Sequence, residues 1–407
     1  SDDTWIAHSL NEVKEFKNDS KKTVAYMVKE FEMKKSADQY ARAATSKTGS
    51  LDMGALHTYK FNDDLFKKVT TLPGATNHGM VMVVDWSGSM HDNLKGTIEQ
   101  LFQLVMFCRR TKIPFEVFAF TSCYNRNAYS GAAYADANYG ELVISSTMRL
   151  LNFFSSKMSA AEEEKMMHYL WMIAKRYGRV RYENWNWAVA GYPTNPPPNY
   201  SLGGTPLNDA IIALMDFLPK YKKASGVQKI NTIFLTDGAS QTLPGIKDTN
   251  GSADFYQNFG KENLLIDPVT NKRYEFVSGY ATVTNVLLKA LKGRVPGMNV
   301  VGFFLAGSGR KGNISRNTWF YILRGVESTA DEAMAKMRKD KVVMLDSKGY
   351  DQYFILPGGE GLAVENDGLD DDLVGASKGK LKTAFAKSNK NRIQSRVLLN
   401  KFVALVA

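Results

Sequence analysis

Cysteine is scarce in this 407-residue chain: only Cys108 and Cys123 occur. Two cysteines at this length make no disulfide framework, which points to a reducing compartment and a cytoplasmic location. Long apolar runs are missing too, and none approaches the roughly 18–20 residues that cross a bilayer. The chain opens on Ser1 with no charged-then-apolar leader, so it reads as a trimmed, non-secreted chain that stays off the membrane. Histidine is limited to His8, His57, His78, His91 and His168. None falls in an H-E-x-x-H or paired Cys/His spacing, which disfavours zinc catalysis. No G-x-x-x-x-G-K-[ST] loop is present, so ATP hydrolysis would have to come from a partner.

Apolar residues make up 44% of the chain and aromatics 12%, enough for a large core and against wholesale disorder. The net charge of +11 allows attraction to nucleic acid, an anionic membrane or an acidic protein surface without choosing among them. Part of that charge sits in the tail. The acidic "ENDGLDDD" at 365–372 is followed by a stretch to Ala407 with Lys and Arg but no acid. There Ile393, Val397, Leu398, Phe402 and Leu405 repeat at helical spacing.

The pattern along the chain predicts three parts. Residues 1–75 form a helical N-terminal extension, with Val24, Met27, Val28 and Phe31 on one face. Residues 76–310 alternate short apolar runs with amphipathic stretches. Strands are expected at Met80–Val84, Pro114–Thr121, 229–237 and 298–307, and helices at Lys95–Thr111, Pro206–Lys222 and Thr282–Lys292. Runs that are apolar throughout imply burial on both faces. The expected fold class is therefore α/β, a doubly wound, mostly parallel sheet flanked by helices. Insertions interrupt it at about 122–202 and 240–279. The first holds a helix opened by a Ser159–Glu162 capping box and expected to stop at Gly178. It is followed by the Trp-, Tyr-, Asn- and Pro-rich stretch 181–201. The second holds a hairpin around Asp267–Asn271. Residues 311–407 form a C-terminal extension, α/β turning helical, that ends in the basic tail.

Polar residues gather at three joints of this pattern. "DWSGS" follows the first core strand and presents Asp85, Ser87 and Ser89. "GGTPLND" opens the helix at 206, with Thr205 expected at its cap and Pro206 at its first position. "TDG" closes the strand at 229–237 and presents Asp237. In a parallel sheet all three joints lie at the carboxyl edge, where ligands bind. Two carboxylates and three hydroxyls suit a hard cation, Mg²⁺ first and then Mn²⁺ or Ca²⁺. Hydroxyls leave the ion's charge incompletely neutralised, so a carboxylate from another molecule can complete the shell. The bland alternative is that Asp85 and Ser87 cap the next helix and Asp237 makes an Asx turn. "GSGRKG" at 307–312 fits a dinucleotide loop only weakly, because Asp346 is misplaced for a compact βαβ unit.

D-x-S-x-S, a Thr before a helix and an Asp in a later "TDG" resemble the metal-ion-dependent adhesion site of von Willebrand factor A domains, across about residues 78–310. "VVDWSGSM" and "IFLTDGAS" look most like the bacterial intracellular branch. That branch includes the cobaltochelatase subunit of this type and the partners of MoxR-type AAA+ ATPases. The run "GALHTYKFNDDLFKKVT…NHGMVMVVDWSGSM" also resembles such proteins from large tailed phages. The resemblance implies that Ser87 and Ser89 bind the metal directly and Thr205 directly or through water. It implies that Asp85 and Asp237 act mainly through water. It further implies a non-catalytic adaptor that docks an acidic side chain of a partner, a hexameric AAA+ motor, in protein remodelling or metal insertion. A nucleic-acid-binding role, motivated by the basic charge and "RYENWNW", is the competing expectation.

Overall fold

The structure is a computed structural model. It describes residues 2–41, 44–51, 66–71, 77–122, 138, 140–145, 147–180, 200–240, 246–247, 253–254, 263–276, 282–306, 314, 318–319, 322–323, 329–340, 342–346 and 349–359. The basic tail, "GSGRKG", most of the aromatic stretch at 181–199 and Cys123 lie outside these residues.

Helix α1 (Asp2–Ala41) leads into a pair of antiparallel strands, β1 (Ala44–Leu51) and β2 (Phe66–Thr71). The N-terminal extension at 1–75 is therefore not helical throughout, contrary to the expectation from the sequence pattern: only its first part is helix, and the strand pair follows. Next come β3 (His78–Asp85), a 3₁₀ turn (Gly88–Asp92), α2 (Leu94–Thr111), β4 (Phe115–Ser122), β5 (Met148–Ser155) and α3 (Ala160–Val180). They are followed by α4 (Leu207–Ser225), β6 (Lys229–Thr236), the two-residue β7 (Ile246–Lys247) and β8 (Ala253–Asp254), and the hairpin strands β9 (Leu264–Ile266) and β10 (Arg273–Glu275). The described elements end with α5 (Thr282–Arg294), β11 (Asn299–Ala306), α6 (Ala330–Asp340), β12 (Val343–Leu345) and β13 (Gln352–Pro357).

Seven strands form the central sheet in the order β12-β13-β11-β6-β3-β4-β5. The five inner strands run parallel, and β5 and β12 run antiparallel at the edges. The apolar runs take this place because both of their faces find partners. Met80, Met82 and Val84 of β3 point into one layer, with α1, α2 and α3, while Val81 and Val83 point into the other, with α4 and α5. A third cluster, around Trp319, Phe304 and Ile355, lies beside α6. Helix α2 is buried nearly all round. Phe102 meets Phe16 and Phe154 edge-on, and Gln103 donates to Ser20 of α1 at 3.1 Å. Each fully buried Phe here contributes about 1.5–3 kcal/mol. Val24, Met27 and Phe31 form the buried face of α1.

Two helix boundaries differ from the sequence expectation. The Ser159–Glu162 capping box forms, but α3 runs through Gly178 to Val180. A helical glycine costs only about 1 kcal/mol against alanine, and packing of Leu170, Ile173 and Ala174 into the core outweighs it. Helix α4 begins at Leu207. Pro206, with φ −82° and ψ 57°, lies just outside it, so Thr205 is not its cap.

Pro219 sits inside α4 and has no N–H to offer the carbonyl of Met215. Arg294 of α5 supplies a distant donor instead, its Nη1 lying 3.5 Å from that oxygen. The same guanidinium forms a fork on Asp267, with Nε to Oδ2 at 2.9 Å and Nη2 to Oδ1 at 2.7 Å. Asp267 also accepts from Val269 N and Thr270 Oγ1, the turn that closes the β9–β10 hairpin. One arginine thus ties two helices to the hairpin. These hydrogen bonds, Arg294's foremost, pull the Asp267 pKa from 3.8 down to about 2. A depressed carboxyl pKa gives stability that is complete above the unfolded value and lost as pH falls through the folded one. Docking of the hairpin should therefore hold above about pH 4 and fail towards pH 2, seen as accelerated amide exchange at 263–276. Arg294→Ala should open it at neutral pH and remove that acid dependence.

Candidate functional site

The site lies where the sheet order turns. Strands β3 and β6 are parallel neighbours, paired through Val84↔Leu235, and their connections leave in opposite directions. A crevice outside the carboxyl ends of such strands is the usual ligand position in this architecture. Asp85 ends β3, and Asp237 follows β6 by one residue.

Asp85 is fully buried. Its Oδ2 accepts from Thr236 Oγ1 at 2.7 Å, while Oδ1 is shut from solvent without a well-formed hydrogen bond. Burial pushes its pKa from 3.8 up to about 7. Ser87 nearby and Thr236 draw it down in part, and the like charge of Asp237 adds to the rise. Ser87, also buried, places its Oγ 3.0 Å from Ser89 Oγ. Ser89 is exposed and donates to Asp237 Oδ1 at 2.7 Å. Asp237 is half-buried, and its pKa is raised mainly by desolvation against the hydrogen bonds from Ser89 and Asn93. Four of the five expected residues thus form one group, graded from the sealed Asp85 to the solvent-facing Ser89.

Thr205 is brought in by backbone. The segment before it is stitched across the ends of β3 and β4: Gly88 N donates to Gly203 O at 2.8 Å, Gly203 N to Trp86 O at 3.3 Å, and Gly204 N to Ser122 Oγ at 2.9 Å. Trp86, wholly buried against Phe153, adds a bond from Nε1 to Tyr200 O at 2.9 Å. A Cβ on Gly203 would lie 1.9 Å from the Ser122 carbonyl oxygen, so only glycine lets the loop close this tightly. Thr205 follows two residues later. Among the described residues no hydrogen bond joins its hydroxyl to the other four.

The capping alternative does not describe these side chains. Ser87 flanks the 3₁₀ turn and Asn93 flanks α2, and neither makes a side-chain capping bond. The turn after β6 is closed by Thr236, whose Oγ1 accepts from Gly238 N, rather than by Asp237. Thr236 and Asn93 are hydrogen-bond partners of these carboxylates that the sequence pattern did not single out. Asn93 Nδ2 donates to Asp237 Oδ2 at 3.3 Å. Thr236 could have been found, since it stands in the same "TDG"; nothing local marks Asn93. His91 bonds Gly88 O and Asp92, and it lies near enough to Asp237 to draw that carboxyl's pKa down slightly.

Among the described residues no three His, Cys, Asp or Glu side chains gather as a metal cluster. The oxygen set of this site, two carboxylates with hydroxyls, is of another kind and suits a hard cation. The buried Asp85 Oδ1, short of a partner, and the absence, among the described residues, of Lys or Arg from the hydrogen bonds of either carboxylate fit such a guest.

No protein-family model matches the chain, and no curated protein matches it in sequence. Among solved structures, the pilus adhesin SpaC of Lactobacillus rhamnosus GG, in an open conformation, aligns at 14% identity over 65% of this chain and 30% of its own, with a TM-score of 0.34. The pilus adhesin RrgA of Streptococcus pneumoniae aligns at 9% identity over 44% of this chain and 22% of its own, with a TM-score of 0.24. This chain therefore spans less than a third of either adhesin. At such scores neither likeness bears on fold or function.

Asp85 yields a test in metal-free buffer. A carboxyl pKa raised on folding gives stability that is present at low pH and lost as pH rises from about 4 to about 7. Asp85→Asn removes that loss. It should raise stability at pH 8 by about 2–4 kcal/mol in denaturant titrations, with the gap shrinking towards pH 4.

Proposed function

We propose that the chain is a metal-dependent protein-binding module of the von Willebrand factor A type. In this reading Asp85, Ser87, Ser89, Thr205 and Asp237 hold Mg²⁺, with Mn²⁺ or Ca²⁺ as substitutes. The observation that carries it is the continuous Ser87–Ser89–Asp237 chain beside a sealed, under-bonded Asp85, all at the carboxyl edge between two parallel strands. Read outward from β5, the six strands β5-β4-β3-β6-β11-β13 run 3-2-1-4-5-6 in chain order, with the third antiparallel, which supports a Rossmann-like relative of that family.

The bound ion would supply a positive centre for an incoming carboxylate. The protein's own groups do the rest. Asp85 and Asp237 contribute charge from the rigid ends of β3 and β6. Ser87 and Ser89 contribute neutral oxygens, which leave that charge only partly cancelled. The exposed side at Ser89 is where an acidic side chain of a partner can approach. In this reading the site binds rather than hydrolyses, because its neutral hydroxyl ligands leave the ion's charge available to a carboxylate from outside. The sequence resemblance extends the reading to an adaptor for a hexameric AAA+ ATPase, in protein remodelling or metal insertion, because the chain has no phosphate-binding loop of its own.

Calorimetric titration tests the site directly. Wild-type protein should take up one Mg²⁺, and Ser87→Ala or Asp237→Ala should weaken uptake at least tenfold with the far-UV circular dichroism unchanged. Capture of a partner from the native host should require Mg²⁺ and be lost in EDTA or with Asp85→Ala. Absence of Mg²⁺, Mn²⁺ and Ca²⁺ uptake by the wild type would falsify the reading.

A further inference from the structure

The β9–β10 hairpin reverses the usual pattern of a ribbon that lies on a protein surface. Its register pairs Leu264 with Glu275, Leu265 with Tyr274 and Ile266 with Arg273. Leu265 and Tyr274 turn inward and pack on the layer formed by α4 and α5. Side chains alternate across a strand, so the other face should be polar. Instead it carries Leu264, 45% exposed, and Ile266, 51% exposed, with Val269, 71% exposed, at the turn. Three of the seven large apolar side chains exposed among the described residues thus gather on one short ribbon, whereas scattered ones would need no explanation. Arg273 and Glu275 stand on the same face, both exposed, and among the described residues neither forms an ion pair within the chain.

We propose that this face is a self-association surface, on which a second copy of the chain docks with its ribbon reversed. The two charges select both the occupant and its orientation. A two-fold axis lying in the contact plane and running across the strands sets β10 over β10, antiparallel. Arg273 of each copy then meets Glu275 of the other, and Ile266 meets Leu264, so charged and apolar side chains find partners at once. An axis along the strands would set Arg273 on Ile266 and bury charge against apolar surface, which is costly. A two-fold contact is self-complementary and uses each of these pairs twice. The ribbon is already ordered. Buried Asp267 closes its turn through Val269 N and Thr270 Oγ1 and is gripped by the Arg294 fork, so docking demands little further ordering. Few side chains take part, against the roughly 20–30 residues a side of a stable interface, so the contact is weak, with Kd expected at about 0.05–0.5 mM. None of the metal-site residues belongs to it.

Sedimentation equilibrium of the full chain tests the contact, at up to about 0.5 mM protein and in about 0.15 M salt, which screens the net charge of +11. Wild-type protein should dimerise reversibly, equally with Mg²⁺ and with EDTA. Ile266→Asp should weaken dimerisation at least about tenfold, with the far-UV circular dichroism unchanged. Arg273→Glu and Glu275→Arg should each weaken it about three- to thirtyfold, since either one turns both facing pairs of the symmetric contact into like charges. An equimolar mixture of these two variants should recover the wild-type affinity, because every facing pair is then opposite in charge again. A merely sticky apolar patch would not give that recovery. Wild-type protein that stays monomeric overturns the proposal and leaves the face to a different chain. A mixture that associates no better than its components, or association that Ile266→Asp leaves intact, overturns it as well. Dimerisation that requires Mg²⁺ moves the contact to the metal site and overturns it without touching the metal-site reading.

Discussion

Two carboxylates forced to share one edge of a parallel sheet are the constraint around which the rest of the site is arranged. Register makes the juxtaposition unavoidable: Val84 pairs with Leu235, so Asp85 lies beside Thr236 and Asp237 stands one residue further out. Burial removes much of the water that would otherwise screen them, and both pKa values rise as a result. The response of the fold is notable for its chemistry. Thr236, Ser89 and Asn93 all donate to these carboxylates, and all are neutral. Neutral donors moderate the cost of a buried charge without cancelling it. A Lys or Arg in their place would have completed an ion pair and left nothing for a cation to do.

The surroundings are built for rigidity. Asp85 extends a strand buried on both faces, and Trp86 directly after it is sealed against Phe153 and holds Tyr200. The 203–204 pair is then fastened to the ends of two different strands. Loops usually carry function because they are free to vary; here the loop is locked by the absence of a Cβ at Gly203. Arg294 plays a related part away from the site. It contacts the carbonyl exposed by Pro219 and holds the hairpin turn with the same fork.

Much of this was legible in sequence because the signals are local. Apolar runs such as "MVMVV" admit one interpretation, burial on both faces, and β3, β4, β6 and β11 fall within a residue or two of their expected bounds. The clustering of Asp85, Ser87, Ser89 and Asp237 followed from placing polar residues at the same end of parallel strands. What could not be seen was long-range or cooperative. Gly178 failed as a stop because core contacts of α3 outweighed a local preference. Thr205 missed the cap because the torsions of Pro206, set by the stitched loop, delay the helix to Leu207. Strands β1 and β2 lack a strong apolar alternation and gain their order from each other. Asn93 has partners 144 and 266 residues away, and no pattern read along a chain reports such contacts.

The gradient of burial across the site bears on what it could hold. Asp85 and Ser87 are sealed, Asp237 is half-open and Ser89 faces solvent. A site meant to trap an ion permanently would surround it with inward ligands on every side. A site meant for a diffusing small molecule would need a walled cleft. This arrangement has charge at the back and a hydroxyl at the lip, so an ion seated against Asp85 would keep an accessible side. With Asp85 at a pKa near 7, an ion and a proton compete for the same carboxylate around neutrality. A carboxylate arriving from solvent at Ser89 would favour the ion over the proton, because it adds negative charge that only the cation can satisfy. In the proposed reading, partner and metal therefore strengthen each other through electrostatics alone, with no need for the strands beneath them to move.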